Sequence, residues 1–269
     1  MNCLICNNEK KYYFSKTYKN SHYKHLMSEI DIVKYYKCEY CGFVVSKTHQ
    51  ELTSEKWNKL NHDFHHYIEN NKTTGNQPPY IEQALMLKLL SENKLIDIDE
   101  WIDYGAGYGT LSKLTDKYFN LNLPYYDKYI KSDDTQSEMA KINEQGYKTV
   151  ISSAIFEHIL SRKDLDNINK LVKSDGCLIV HTVVVEKGPK NDNWFYLEPP
   201  VHTAFHTNKS MSILMEQWGY KQSIYSPKSK CWVLFKENNS KIKKITNKIN
   251  EELQTRWFYY KEGFMNYWI

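Results

Sequence analysis

Hydrophobic residues along this chain follow two different periods. From residue 101 to residue 236, short apolar runs predict strands at 101–104, 123–127, 149–153 and 177–185, and helical spacing between them predicts helices at 109–119, 162–173 and 208–218. Such alternation dictates a mainly parallel sheet covered by helices, an α/β fold. Two further strands, 220–225 and 231–236, flank Ser226-Pro-Lys-Ser-Lys230 and read as a closing antiparallel hairpin. Upstream, Leu52, Trp57, Leu60, Phe64 and Tyr67 predict a helix over 50–70, and the polar segment Asn71 to Pro79 breaks it. A new helix begins near Tyr80, with Ile81, Ala84, Leu85, Leu89 and Leu90 on one face. Downstream, Ile242, Ile245, Ile249, Leu253 and Trp257 predict a C-terminal amphipathic helix over 241–257 with an aromatic tail running to Trp268. Residues 1–48 show no helical period. The chain therefore divides into a small module (1–48), a linker helix and loop (49–79), a main domain (80–240) and a terminal helix with its tail (241–269).

Its 269 residues, 41% apolar and 14% aromatic, suffice for one substantial core plus an appendage. The 36 basic and 32 acidic residues intermix, so the net charge of +4 lacks the clustered stripe of a nucleic-acid binder. No run approaches the roughly 18 apolar residues of a membrane span, and the start Met1-Asn-Cys-Leu-Ile-Cys6 lacks the regions of a secretion signal. A cytoplasmic protein without a membrane span is expected.

Four of the six cysteines form two pairs, Cys3-x-x-Cys6 and Cys38-x-x-Cys41. Two such knuckles supply four soft ligands, the donor set of a closed tetrahedral zinc site, and Gly42 follows the second pair where a knuckle turn often needs positive φ. With no place for water, the metal would be structural, stapling a module too small to hold a core of its own. The rival is a redox dithiol. His22, His25 and His49 are further donors, but four thiols leave no vacancy. Cys177 and Cys231 sit inside apolar runs and read as small buried hydrophobes.

The segment Trp101-Ile-Asp103-Tyr-Gly105-Ala106-Gly107-Tyr-Gly109 places three glycines between a predicted strand and a predicted helix, where side chains would block a ligand's approach to the backbone. The spacing is G-x-G-x-G after an acid, not the G-x-G-x-x-G that cradles a pyrophosphate. S-adenosylmethionine (SAM) has no phosphate to cradle; Asp103 can orient its amino-acid end and the glycines leave room for its ribose. Asp127, ending the next strand 18 positions beyond Gly109, is placed to reach both ribose hydroxyls. Tight packing of a turn and a solvated turn acid are the plainer readings.

On these residues the region 80–236 resembles a class I SAM-dependent methyltransferase with a Rossmann-like sheet. Asp103 to Gly109 matches the first motif and Asp127 the acid of the second strand. Val150-Ile-Ser-Ser-Ala-Ile-Phe-Glu157-His158 resembles the fourth-strand motif, and Leu171 to Val180 the turn into the fifth strand. The resemblance implies SAM contacts at Asp103, Gly105, Ala106, Gly107, Gly109 and Asp127. The chain departs from the pattern after Asp127: about 20 residues remain before Thr149, so the third strand is short or missing and no clear acid serves adenine. Ser132, Asp133 and Ser153 are the candidates there.

In this fold the loop after the fifth strand opens over the cofactor; here it runs from Glu186 to Thr207. His202 is the first candidate for a base that takes an acceptor's proton, with His158 and His181 as alternatives. Trp194 and Tyr196 suit stacking on a sugar face or filling the loop core. His62, His65 and His66 on the linker helix can close over the site or simply face solvent. The whole arrangement, including a Tyr-x-x-Pro-Pro-x-His loop, resembles bacterial methyltransferases acting on sugars of surface polysaccharides. It implies a small polar acceptor, and Asn76-Gln-Pro-Pro-Tyr80 places Tyr80 near the methionine end of SAM. Two other readings stand beside it: an RNA methyltransferase gripping nucleic acid with the zinc module, and a non-catalytic SAM-binding scaffold whose aromatic tail mediates assembly or a homodimer.

Overall fold

The computed structural model describes residues 2–71, 77–131 and 139–266. In chain order it has β1 (Lys10–Lys16), β2 (Val33–Cys38), β3 (Val44–Ser46), α1 (Lys47–Gln50), α2 (Ser54–Asn71), α3 (Tyr80–Glu92), β4 (Trp101–Tyr104), α4 (Thr110–Phe119), β5 (Tyr125–Tyr126) and β6 (Tyr147–Ser153). There follow α5 (Arg162–Leu171), β7 (Val172–His181), β8 (Val184–Val185), β9 (Ala204–Thr207), α6 (Asn208–Gln217), β10 (Gln222–Ser226), β11 (Cys231–Phe235), α7 (Lys241–Glu252) and β12 (Tyr259–Glu262).

A seven-stranded sheet in the order β12-β10-β11-β7-β6-β4-β5 forms the main domain. β5, β4, β6 and β7 run parallel, and β11, β10 and β12 close the other side in antiparallel register. It is a mixed α/β sheet in the Rossmann-like manner, with β5 at its edge among the described residues. Helices cover both faces, so successive strand residues go to opposite cores. Ile102, Val150 and Leu178 pack with α5 and α6, whereas Trp101, Ile151 and Ile179 pack with α3 and α7.

Three expectations change in detail. The strand expected over 177–185 is two strands: β7 ends at His181, and β8 leaves for a second sheet while Thr182 hydrogen-bonds Glu157. On α3 the buried face is Gln83, Ala84, Met86, Leu87 and Leu90, and Ile81 is 45% exposed. Gln83 turns inward because its carboxamide accepts from Ser153 Oγ at 2.9 Å and donates to the Ser229 carbonyl. The final helix stops at Glu252; Ile242 and Ile249 are buried, and the chain beyond it adds β12 to the sheet edge instead of continuing the helix. Trp268 lies outside the described residues.

The second sheet, β1-β2-β3-β9-β8, joins the N-terminal segment to the loop after β7. β3 pairs with β9 through Val44 with Phe205 and Val45 with Ala204. Tyr35, Val44, Phe205, Leu197 and Val201 share one apolar cluster.

Two buried histidines, His49 and His206, each have Nε2 without a hydrogen-bond partner. Burial holds both imidazoles at about 3, below the ordinary 6.5. Because the folded value is depressed, their contribution is complete above pH 6.5 and is lost as pH falls toward 3, at about 1.4 kcal/mol per pH unit for each. Urea unfolding between pH 7 and 5 should therefore show a shallower pH dependence for His49→Gln than for the parent; parallel curves would refute the assignment.

Candidate functional site

β4 delivers Asp103 to the start of the glycine turn. Gly105, Gly107 and Gly109 all have positive φ, at 78°, 55° and 72°, which a side chain would strain. At Gly105 the space is also closed, since a Cβ would lie 2.3 Å from Ile155 Cδ1. The turn docks on the end of β5: Gly105 N–H and Ala106 N–H donate to the Tyr126 carbonyl at 2.7 and 3.1 Å. Asp127 holds it from the other side. Its Oδ2 accepts from Gly107 N–H at 2.8 Å, and its Oδ1 accepts from the N–H groups of Tyr129 and Ile130 at 2.7 and 3.0 Å.

Asp103 is buried and its Oδ1 has no partner. Burial first, and the charge of Asp127 second, push its carboxyl up to about 7.

At the turn lies a cavity lined by Tyr80, Gly105, Ala106, Gly107, Ser153, His158 and His202, together with Tyr23, Phe64, Ile68 and Glu69. An adjoining cavity shares Gly105, Ile155, His65 and His158, and adds Asp127, Tyr129, Leu160 and Trp57. Of the expected cofactor residues, Tyr80, Gly105, Ala106, Gly107 and Ser153 line the first cavity and Asp127 the second, with Ser153 engaged by Gln83, whereas Asp103 and Gly109 line neither. Ser132, Asp133 and Asn76 lie outside the described residues.

Of the three candidate bases, His158 and His202 line the cavity. His181 does not; its Nδ1 donates to the Lys230 carbonyl at 2.9 Å in the β10–β11 turn. His202 Nδ1 donates to the Tyr196 carbonyl at 2.9 Å, and His158 Nδ1 contacts Asn61 Oδ1 at 3.3 Å. Since a carbonyl oxygen only accepts, both rings carry the proton on Nδ1 and present an unprotonated Nε2. Asn61 is fixed in that orientation by donating its amide to the Trp57 carbonyl.

Within 4.8 Å of a ring nitrogen of both His158 and His202 is a carboxylate oxygen of Glu157, fully buried and accepting from Tyr196 OH and from Thr182 Oγ1. Burial raises its carboxyl above the usual range. Tyr196 is accordingly a core residue and not an exposed stacking platform; Phe195, beside it, is 60% exposed.

Of the three α2 histidines, His65 and His66 reach the site, whereas His62 contacts Asp63 and stacks on His66. His65 stacks on His158 at 5.5 Å, and His66 Nδ1 lies 3.1 Å from Tyr108 OH in the glycine turn. Periodicity alone did not distinguish them from a solvated face, and Trp57 of the same helix had no signal linking it to a cavity.

The four knuckle cysteines converge as their spacing predicts: all four sulfurs lie within 4.8 Å of one another, with Cys3 to Cys41 at 3.6 Å and Cys6 to Cys38 at 3.4 Å. A tetrahedral zinc site with Zn–S of about 2.3 Å requires sulfurs about 3.8 Å apart. Gly42 has φ 75° and donates its N–H to the Cys38 carbonyl. His49 and His22 stand elsewhere, on Ser46 and Tyr67.

A family profile described as a methyltransferase domain matches residues 54–222. No curated protein sequence matches the chain. Among solved structures, the chain is similar to the CurJ carbon methyltransferase (11% identity over 50% of this chain and 46% of that one, TM-score 0.34), so it spans about half of that chain's length. It is also similar to a SAM-dependent methyltransferase from Aquifex aeolicus (14% identity, 69% and 98% covered, TM-score 0.37). A third is the plantazolicin methyltransferase BpumL in complex with SAH (11% identity, 82% and 93% covered, TM-score 0.38). No helix among the described residues is long and apolar enough to cross a membrane.

Proposed function

We propose, for a chain that belongs to the methyltransferase domain family and is a SAM-dependent methyltransferase, that its acceptor is a hydroxyl of a small polar molecule. A sugar of a surface polysaccharide, or its nucleotide-linked precursor, is the acceptor class. The observation that carries this reading is the single cavity lined both by the glycine turn and by His158 and His202.

The residues present fit SAM. Asp103, with its unpartnered Oδ1, and Tyr80 would hold the amino-acid end, and Asp127 would receive the ribose. The positive-φ glycines clear the path between them. Adenine would lie in the adjoining cavity against Tyr129 and Leu160. SAM supplies a methyl group on a sulfonium, so the new O–CH3 bond forms as the CH3–S bond breaks and its electron pair returns to sulfur. The hydroxyl proton must leave, and His202, backed by the Tyr196 carbonyl, is the first candidate to receive it. Tyr23, Phe64, Ile68 and Glu69 give the acceptor an apolar and acidic wall. No Lys or Arg lines that cavity among the described residues, which favours a neutral reacting group with any phosphate held outside. Cys3, Cys6, Cys38 and Cys41 would hold a structural zinc; the N-terminal segment shares its sheet with β8 and β9, and β12 of the 241–269 segment joins the main sheet, so neither packs as a separate unit.

Incubation with methyl-labelled SAM and a panel of sugars, sugar nucleotides, polysaccharide fragments and RNA tests the proposal, with NMR locating the label. The expected product carries it on a sugar oxygen. Label on carbon, on nitrogen or on RNA alone would overturn it.

A further inference from the structure

We propose that Glu157, His158 and His202 form a second metal site, distinct from the cysteine knuckles, that binds a divalent transition cation through two imidazoles that line the acceptor cavity and one buried carboxylate. One ligand atom from each residue lies within 4.8 Å of the other two. The two ring centroids are 5.2 Å apart, a spacing that small side-chain rotations close around an ion.

The surroundings carry the inference further than the three residues do. Ligating histidines almost always donate their other ring N–H to a carbonyl or carboxylate, and ligating carboxylates are themselves hydrogen-bonded. All three conditions are met: His202 Nδ1 donates to the Tyr196 carbonyl, His158 Nδ1 to Asn61 Oδ1, and Glu157 receives two hydroxyls, from Tyr196 and Thr182. Two donated O–H groups suit an ionised carboxylate. Among the described residues neither Nε2 has a hydrogen-bond partner, so both lone pairs are available to an ion.

The donor set selects the ion class. Two nitrogens and one oxygen suit Mn2+, Fe2+, Co2+ or Zn2+, in contrast to the four soft sulfurs of the knuckles. Three protein ligands leave open positions, and His158 and His202 face the cavity. An acceptor hydroxyl bound there would lose its proton to water more readily, so the ion would supply the acidification otherwise asked of His202. That chemistry rests on the hydroxyl-acceptor reading; the ion site itself does not.

The test uses the full chain with Mn2+ alone, a hard ion that thiolates bind poorly, and follows the free-ion signal by electron paramagnetic resonance. The parent is expected to bind one Mn2+ per chain, and Glu157→Gln and His202→Gln to bind at least tenfold more weakly. Tyr196→Phe, which removes only a partner of Glu157, should weaken binding about 10- to 100-fold. Melting curves and SAM titrations of each variant establish that it is folded. No Mn2+ bound by the parent, or equal binding by the folded variants, would overturn the site. If Mn2+ binds as expected while the label goes to carbon or nitrogen, the site stands and the hydroxyl reading fails.

Discussion

At pH 7.5, Asp103→Asn is expected to bind SAM about ten- to a hundredfold more weakly than the parent and yet to unfold at a higher temperature. Both effects come from one buried carboxylate. Asp103 is 2% exposed at the end of β4, with Oδ1 unpartnered. Burial, with Asp127 adding to it, raises its carboxyl from 3.8 to about 7. A raised acid binds its proton more tightly when folded, so its cost to stability is absent below about pH 4, grows as pH rises, and is complete above about 7. The isosteric amide removes that cost. The cationic end of SAM would relieve it in the parent, and a hydrogen bond to a charged group is worth about 1.5–3 kcal/mol, which sets the expected loss in the variant. Parent affinity should rise between pH 6 and 7.5 while that of the variant stays flat. Asp127→Ala is the contrast: its carboxylate accepts the Gly107 N–H of the glycine turn and the N–H groups of Tyr129 and Ile130, so its removal should weaken SAM binding and lower the melting temperature together. Calorimetric titration at both pH values checks this; an Asp103→Asn variant that binds SAM like the parent at pH 7.5 would remove Asp103 from the site.

The cofactor half of this site was legible because local sequence controls it. Gly105, Gly107 and Gly109 all need positive φ, and only the sequence between one strand and one helix decides whether that is available. The strands were legible for a related reason: β4, β6 and β7 are covered on both faces, so consecutive apolar residues (Trp101-Ile102, Val150-Ile151, Cys177 to Val180) mark them in place of alternation. The acceptor half depends on pairing at long range, which leaves no local mark. Nothing in Val44 and Val45 announces Phe205 and Ala204 as partners, and Gln83 looks like a surface residue until Ser153 and Ser229 are seen on either side of it. Tyr259 to Glu262 likewise reads as an aromatic tail until β10 supplies its partner. The base candidates show the same limit. Glu157 and His158 were visible as a motif, but the hydroxyls of Tyr196 and Thr182 that orient Glu157 come from elsewhere in the chain.

Loss of the knuckle metal is expected to abolish methyl transfer, by about a hundredfold or more, while SAM binding changes little. The cysteines lie far from the glycine turn in sequence but hold the loop that carries His202. Thr207 Oγ1 donates to the Cys41 carbonyl, Ser46 N–H donates to the Thr203 carbonyl at 2.8 Å, and Lys37 Nζ reaches the Lys187 carbonyl at 2.7 Å. Tyr35 OH reaches the carbonyl of His202 itself at 3.4 Å. At Gly42 even an added Cβ would press on Thr207, 2.9 Å away. A zinc-stapled module supplies folding energy that its own small core does not, so unstapling it frees β3 and with it β9. Misplacing a reacting group by about 1 Å costs on the order of a hundredfold in rate. Asp103, Asp127 and the glycine turn belong to the other sheet and should remain in place. Cys38→Ser and chelator-treated parent protein, both assayed with Mn2+ present to keep any second site filled, should show zinc absent by elemental analysis, turnover lost and SAM affinity within a few-fold. Full turnover without zinc would show that the acceptor loop holds itself, and loss of SAM binding in step with turnover would show that the two sheets stand or fall together.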